Sequence, residues 1–150
     1  MTLFRILARE YAATAFSGNG ARTYGGRWNS PGRRMVYAST TLELCVLEVL
    51  AHFDPLLAPD YVFLTAEVRE DSVERLEPPA AWDRMPHSAS ARATGDRWIA
   101  EARSLVALAP SVVLPYSMNA LINPLHPRFP EIVIGEPRDL VLDGRLLGDR

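Results

Sequence analysis

The sequence has no lysine: all 16 of its basic residues are arginine. That removes a P-loop lysine, a Schiff-base lysine and a lysine general base from consideration. Any anion this chain holds must be held by arginine or by backbone amides, and the planar arginine fork suits phosphate because it donates two hydrogen bonds at once. Cysteine is nearly absent as well. Cys45 stands alone, so no internal disulfide can form, and a reducing, cytoplasmic setting is expected. His52, His87 and His126 are scattered and give no zinc-like spacing with that single thiol, so no metal is expected. There is no surplus of positive charge either. The formal net charge is −2, which argues against direct nucleic-acid binding. Long apolar runs are missing: no segment approaches the roughly 20 residues of a membrane span. The N-terminal stretch MTLFRILAREYAATAF is interrupted by Arg5, Arg9 and Glu10, unlike the core of a signal peptide.

What remains is a chain of 150 residues with 48 % apolar content, enough for the core of one domain spanning 1–150. Residues 2–8 read as a first strand or short element. Residues 17–32 (SGNGARTYGGRWNSPG) hold five of the nine glycines, so the backbone there must turn sharply or approach something closely. Residues 34–39 predict a strand and about 41–53 a helix, with Thr40 and Glu43 as a capping box and Pro55 and Pro59 as the stop. Residues 60–69 alternate like a strand, with Val62, Leu64, Ala66 and Val68 on one face. Residues 70–93 read as surface loop, Gly95 to about Leu108 as a helix ended by Pro110, and 111–115 as a strand. The three prolines in 119–130 predict an irregular segment, and 131–142 closes with one or two strands. Short strands around two helices, in mixed order, point to the α+β class rather than to a doubly wound parallel sheet.

The segment TLELCVLEVLAHF is apolar nearly all round, as in a buried helix. Glu48 then sits among apolar neighbours, with His52 one turn on; a buried carboxylate is costly unless paired or used. Periodicity equally allows Glu48 on a thinner, solvent-facing side. Arg27 follows Gly25-Gly26, where small residues let the chain approach a ligand; a solvated loop arginine, or one stacked on Trp28, fits the same string. Arg5, between Phe4 and Ile6, is either an exposed edge residue or a buried ion partner. Tyr37 reads as core packing, Ser111 as the start of a strand and Asn123 as a turn former, while His126 has no evident partner.

The order Phe4-Arg5, SGNGARTYGGRWNSPG, VYAS, LEVL, PSVVLP and NALINPLHP resembles the RES domain, a family named for an Arg, a Glu and a Ser. The likeness runs from Leu3 to the Asp143-Gly144-Arg145-Leu146 segment and is weakest over 70–93. It implies a single-domain fold like that of mono-ADP-ribosyltransferases, with a mixed sheet and flanking helices. It implies a toxin of a type II toxin–antitoxin module, partnered by an Xre-type helix-turn-helix antitoxin, with NAD as substrate and no separate cofactor. The site residues it implies are Glu48, Arg27 and Tyr37 for catalysis, and Arg5, Arg27, Tyr37 and Ser111 for NAD binding. Under this reading the enzyme breaks the nicotinamide–ribose bond by hydrolysis or phosphorolysis. A mono-ADP-ribosyltransferase acting on a specific protein and a non-catalytic NAD-binding module are the alternatives. An RNA-cleaving toxin is disfavoured by the net charge and by the lack of a histidine pair to act as acid and base.

Overall fold

Strands of two to seven residues carry the architecture, and most of their apolar side chains are buried. A computed structural model describes residues 1–54 and 60–148. The strands are β1 (Thr2–Ala8), β2 (Val36–Ser39), β3 (Tyr61–Glu67), β4 (Val73–Arg75), β5 (Val106–Pro110), β6 (Met118–Ile122), β7 (Val133–Ile134) and β8 (Arg138–Asp139). The helices are α1 (Asn19–Tyr24), α2 (Leu42–Ala51) and α3 (Ala89–Glu101). The described residues form an eight-stranded sheet ordered β4-β5-β6-β2-β1-β3-β7, with β8 also paired to β3. Only the β4–β5 pair is parallel, so the sheet is mixed and the α+β expectation holds.

Alternation in the central strands separates two cores. Val36, Val106, Ala120 and Ile122 join Leu3, Val62, Leu64 and Ala66 in one cluster, against which Phe16 and Ile132 pack. Met35, Ala107, Ala109 and Leu121 join Trp28, Ala91 and Trp98 in the other, which brings α3 and the glycine-rich loop onto the sheet. The face expected for Val62, Leu64, Ala66 and Val68 is found: all four are buried in the first cluster.

Several boundaries differ from the sequence reading. The helix expected over Gly95 to Leu108 is two elements. Its first half belongs to α3, which begins earlier because the Ser88 side chain accepts from Ala91 N, and which ends with Ala102 in a left-handed conformation. Its second half is β5. A short, fully apolar run has no period to separate a buried strand from a buried helix, and Pro110 ends the strand rather than the helix. The strand expected at 111–115 is the turn joining β5 to β6, closed by Ser111 N donating to Ser117 O and Ser117 N to Leu114 O. The irregular segment expected at 119–130 starts with β6, because its prolines begin only at Pro124. The loop at 70–93 contains β4, and the glycine-rich loop contains α1.

The capping residue of α2 is Thr41, whose hydroxyl accepts from Leu44 N; Thr40 instead donates to Met118 O. Pro55 and Pro59, expected to stop this helix, lie outside the described residues. Nor is α2 buried all round: only Leu44 and Cys45 are, and Leu47 is 39 % exposed. The helix forms one wall of a cavity instead of filling the core, and Val49 and Ala51 line it. His126 has partners after all, bonding through Nε2 to Ala102 O and accepting from Arg128 N at Nδ1. Asn123 is the expected turn former, its side-chain oxygen accepting from Leu125 N.

Candidate active site

A cavity of about 780 Å³ opens between the glycine-rich loop, β1, β2, α2 and the β5–β6 turn. Arg5, Arg27, Tyr37 and Glu48 all line it, so four of the five residues singled out in the sequence share one wall system although 43 positions separate the first from the last. The fifth, Ser111, is fully buried and joins through Glu48.

Glu48 lies in α2, half-buried, one turn before the helix ends. Its Oε1 accepts from Ser111 Oγ at 2.7 Å and from Asn119 Nδ2 at 2.5 Å. Asn119 is itself fixed, because its Oδ1 accepts from Ser39 Oγ at 2.8 Å. A relay of hydrogen bonds from β2 through β6 therefore sets the angle of a helix carboxylate. Both bonds to Glu48 go to one oxygen, and among the described residues none is made to Oε2. Ser111 also accepts from Leu114 N, which anchors it to the turn. The sequence reading missed Asn119 and Ser39. The signal that could have found Asn119 was its place at the start of NALI, an apolar strand that the later prolines disguised.

Arg5 is neither of the two things its sequence allowed. β1 lies inside the sheet between β2 and β3, so Arg5 is no edge residue. Among the described residues its bonding partner is a carbonyl, Tyr37 O at 2.6 Å, rather than a carboxylate. Its Nε is buried with no partner. Burial pulls the guanidinium below its ordinary pKa, only partly offset by Cys45. A cation held this way is stabilised by any anion that enters the cavity. Burial likewise pushes the neighbouring Cys45 thiol up, which keeps it neutral and unreactive.

Arg27 is partly exposed, and its guanidinium is bonded to the 82–85 segment. It donates from Nη1 to Trp82 O at 2.8 Å and Arg84 O at 3.0 Å, and from Nη2 to Met85 Sδ at 3.2 Å. These bonds tie the 82–85 segment to the glycine-rich loop, and the stacked rings of Trp28 and Trp82, 5.7 Å apart, reinforce the tie. Burial lowers the Arg27 pKa, and Asp83 and Glu48 act in the opposite sense.

Tyr37 is half-buried and lines the cavity, but its hydroxyl is occupied: it donates to Asn29 Oδ1 at 2.7 Å and accepts from Trp28 N at 3.1 Å. Burial drives the phenol well above its ordinary pKa, so it stays protonated and takes no part in acid–base chemistry. What Tyr37 offers a ligand is its ring. Asn29, fully buried, is the clasp of the loop, with Nδ2 donating to Ala21 O, Ser30 O and Arg33 O. From α3, Asp96 accepts from Ser30 N and Arg92 donates to Gly26 O. Gly26 is required to be glycine, since a Cβ there would lie 2.5 Å from the Tyr37 hydroxyl.

Among the described residues no group of three or more His, Cys, Asp or Glu side chains could hold a metal, and no helix is long and apolar enough to cross a membrane.

The RES domain family model matches residues 2–143. A protein named Toxin Res from Photorhabdus laumondii is 34 % identical, over 98 % of this chain and 97 % of its own length. A Toxin Res from Yersinia enterocolitica is 33 % identical over 97 % and 99 %. A protein named Prs ADP-ribosylating toxin from a Sphingobium strain is 33 % identical over 93 % of this chain and 91 % of its own length. In fold, the chain is similar to one from the crystal structure of the M. tuberculosis MbcT–MbcA toxin–antitoxin complex. That likeness has a TM-score of 0.76 at 21 % identity and covers 93 % of this chain and 84 % of that one.

Proposed function

The chain belongs to the RES domain family, and we propose that it is the toxin of a toxin–antitoxin pair that acts on NAD by breaking the nicotinamide–ribose bond. The observation that carries this reading is Glu48 in one cavity with two arginines, its carboxylate oriented by Ser111 and Asn119.

As the glycosidic bond breaks, its electron pair leaves with the nicotinamide nitrogen, and positive charge develops on the ribose. A fixed carboxylate beside that carbon lowers the barrier, because preorganised charge in a partly dry site acts far more strongly than in water. Arg5 and Arg27 suit the diphosphate: both line the cavity and both have had their cationic form penalised by burial. The Tyr37 ring, its hydroxyl already bonded, is suited to stacking on the nicotinamide. Ser111 positions Glu48 in this scheme rather than touching substrate. The electron-poor ribose carbon is then attacked by water, by phosphate or by a nucleophile of a target protein.

The choice of acceptor separates the two enzymatic readings. The Sphingobium relative's name favours transfer to a protein. Incubating the purified chain with labelled NAD, with and without phosphate and with cell extract, decides between them. Free ADP-ribose or its phosphate means degradation, label on a protein band means transfer, and intact NAD in all three arms would leave no NAD chemistry to assign. For the partner, the reading calls for an Xre-type helix-turn-helix antitoxin covering the cavity mouth; what supports an antitoxin of any kind is that the M. tuberculosis chain of similar fold comes from a toxin–antitoxin complex.

Arg27→Ala is expected to raise the KM for NAD about tenfold or more, the usual cost of a lost hydrogen bond to a charged group. Steady-state kinetics check this, and unchanged KM and kcat would remove Arg27 from the binding role.

A further inference from the structure

Two buried side-chain polar atoms lack a hydrogen-bond partner among the described residues, Arg5 Nε and His87 Nδ1, and both belong to side chains that line the cavity. Arg5 was legible in the sequence as a candidate; His87 was not. The chain on either side of it is tied down. On one side, Arg27 holds the carbonyls of Trp82 and Arg84 and the sulfur of Met85. On the other, Ser88 caps α3. The imidazole lies in the cavity wall, just beyond the segment that Arg27 holds.

The charges around it share one sign. Burial, the largest effect, holds the pKa of His87 below the ordinary histidine value, and Arg27 from the glycine-rich loop, Arg92 from α3 and His52 at the end of α2 act in the same sense. The other charged groups on the cavity wall or the same segment are Arg5 on β1, Glu48 on α2, Asp83 and Arg84; none of these is among the groups that act on the imidazole. A neutral imidazole with an unmet buried nitrogen, beside cations and with no paired carboxylate, is arranged for an anion.

Resting on the NAD reading above, we propose that His87 is a further binding residue for the diphosphate of the dinucleotide, donating from Nδ1 to a phosphoryl oxygen next to Arg27 and taking up one proton from solvent as the anion binds. The sign follows from linkage. The bound anion favours the imidazolium, so the pKa of His87 is higher in the complex than in the free protein. Affinity therefore increases as pH falls through the pKa of the complex. It levels off below the pKa of the free protein and is flat above that of the complex.

Titration calorimetry with ADP-ribose between pH 5.5 and 8, in buffers of different ionisation enthalpy, tests this. ADP-ribose is the suitable probe because its diphosphate does not titrate in that range. For the wild-type protein, affinity should rise toward low pH by up to about tenfold per unit, with net proton uptake. In His87→Asn an amide nitrogen stands near the place of Nδ1. This variant should keep its affinity at pH 8 within a few-fold while losing both the pH dependence and the proton uptake. His87→Phe should bind about tenfold or more weakly at pH 6. Thermal melts of both variants establish that they fold. Wild-type binding with a flat pH profile and no proton uptake overturns the role of His87 and leaves the NAD reading standing. Persistence of the dependence in His87→Asn also overturns it, by assigning the proton elsewhere. Failure of the wild type to bind ADP-ribose at any pH overturns the role of His87, while the NAD reading stands or falls with the labelled-NAD assay.

Discussion

Glu48→Gln is expected to lower NAD turnover by about 10²-fold or more, the scale on which removing a group that stabilises transition-state charge reduces a rate. The substitution is a clean one. Glutamine keeps the shape of the side chain, and its Oε1 can still accept from Ser111 Oγ and Asn119 Nδ2, the two bonds that orient the native carboxylate. What disappears is the negative charge beside the ribose. Binding of the dinucleotide should change little, because the proposed scheme gives the diphosphate contacts to the arginines. The loss should therefore fall on kcat rather than on KM. Nicotinamide release measured on the folded variant checks this, and turnover within a few-fold of wild type would end the assignment of Glu48.

The second large effect concerns packing. A Cβ on Gly95 would lie 1.7 Å from the carbonyl oxygen of Trp28, a backbone atom that cannot swing aside. In the interior of a helix, glycine to alanine ordinarily stabilises by about 1 kcal/mol. Here the sign reverses. Gly95→Ala forces α3 away from the glycine-rich loop, at a cost of about 3 kcal/mol or more, which corresponds to a fall in Tm of roughly 6–12 °C. Activity should fall with it, because α3 holds that loop through Asp96 on Ser30 N and Arg92 on Gly26 O. Gly20→Ala is the matched contrast: no heavy atom lies within 4 Å of the added carbon, so its Tm should hold or rise. Equal melting of the two variants would refute the contact.

How far this could be read from the chain depends on which physical signals are local. α2 was legible as a helix, though not its buried face, from its capping threonines and unbroken apolar run, and β3 because it alternates cleanly. The site residues were legible as identities, through the family resemblance, but not as geometry. No local pattern says that Arg5 rests on Tyr37 O or that Asn119 shares Glu48 with Ser111. Those contacts join positions 32 to 71 residues apart, and the sheet order alone brings them together. The misread region at 95–122 fails for a related reason. Gly95 looks like a helix start because the carbonyl that requires it, on Trp28, lies far away in the chain, and Val106–Pro110 is apolar throughout because it is buried on both faces.

The clasp at Asn29 changes what five closely spaced glycines mean. One buried amide bonds to three carbonyls and to the Tyr37 hydroxyl, so the loop they shape is a stiff wall rather than a flap. The entropy of ordering it is lost when the chain folds, not when a ligand arrives. Association on that side of the cavity should therefore resemble the docking of a rigid body into a mould cast beforehand, with backbone displacements below about 1 Å.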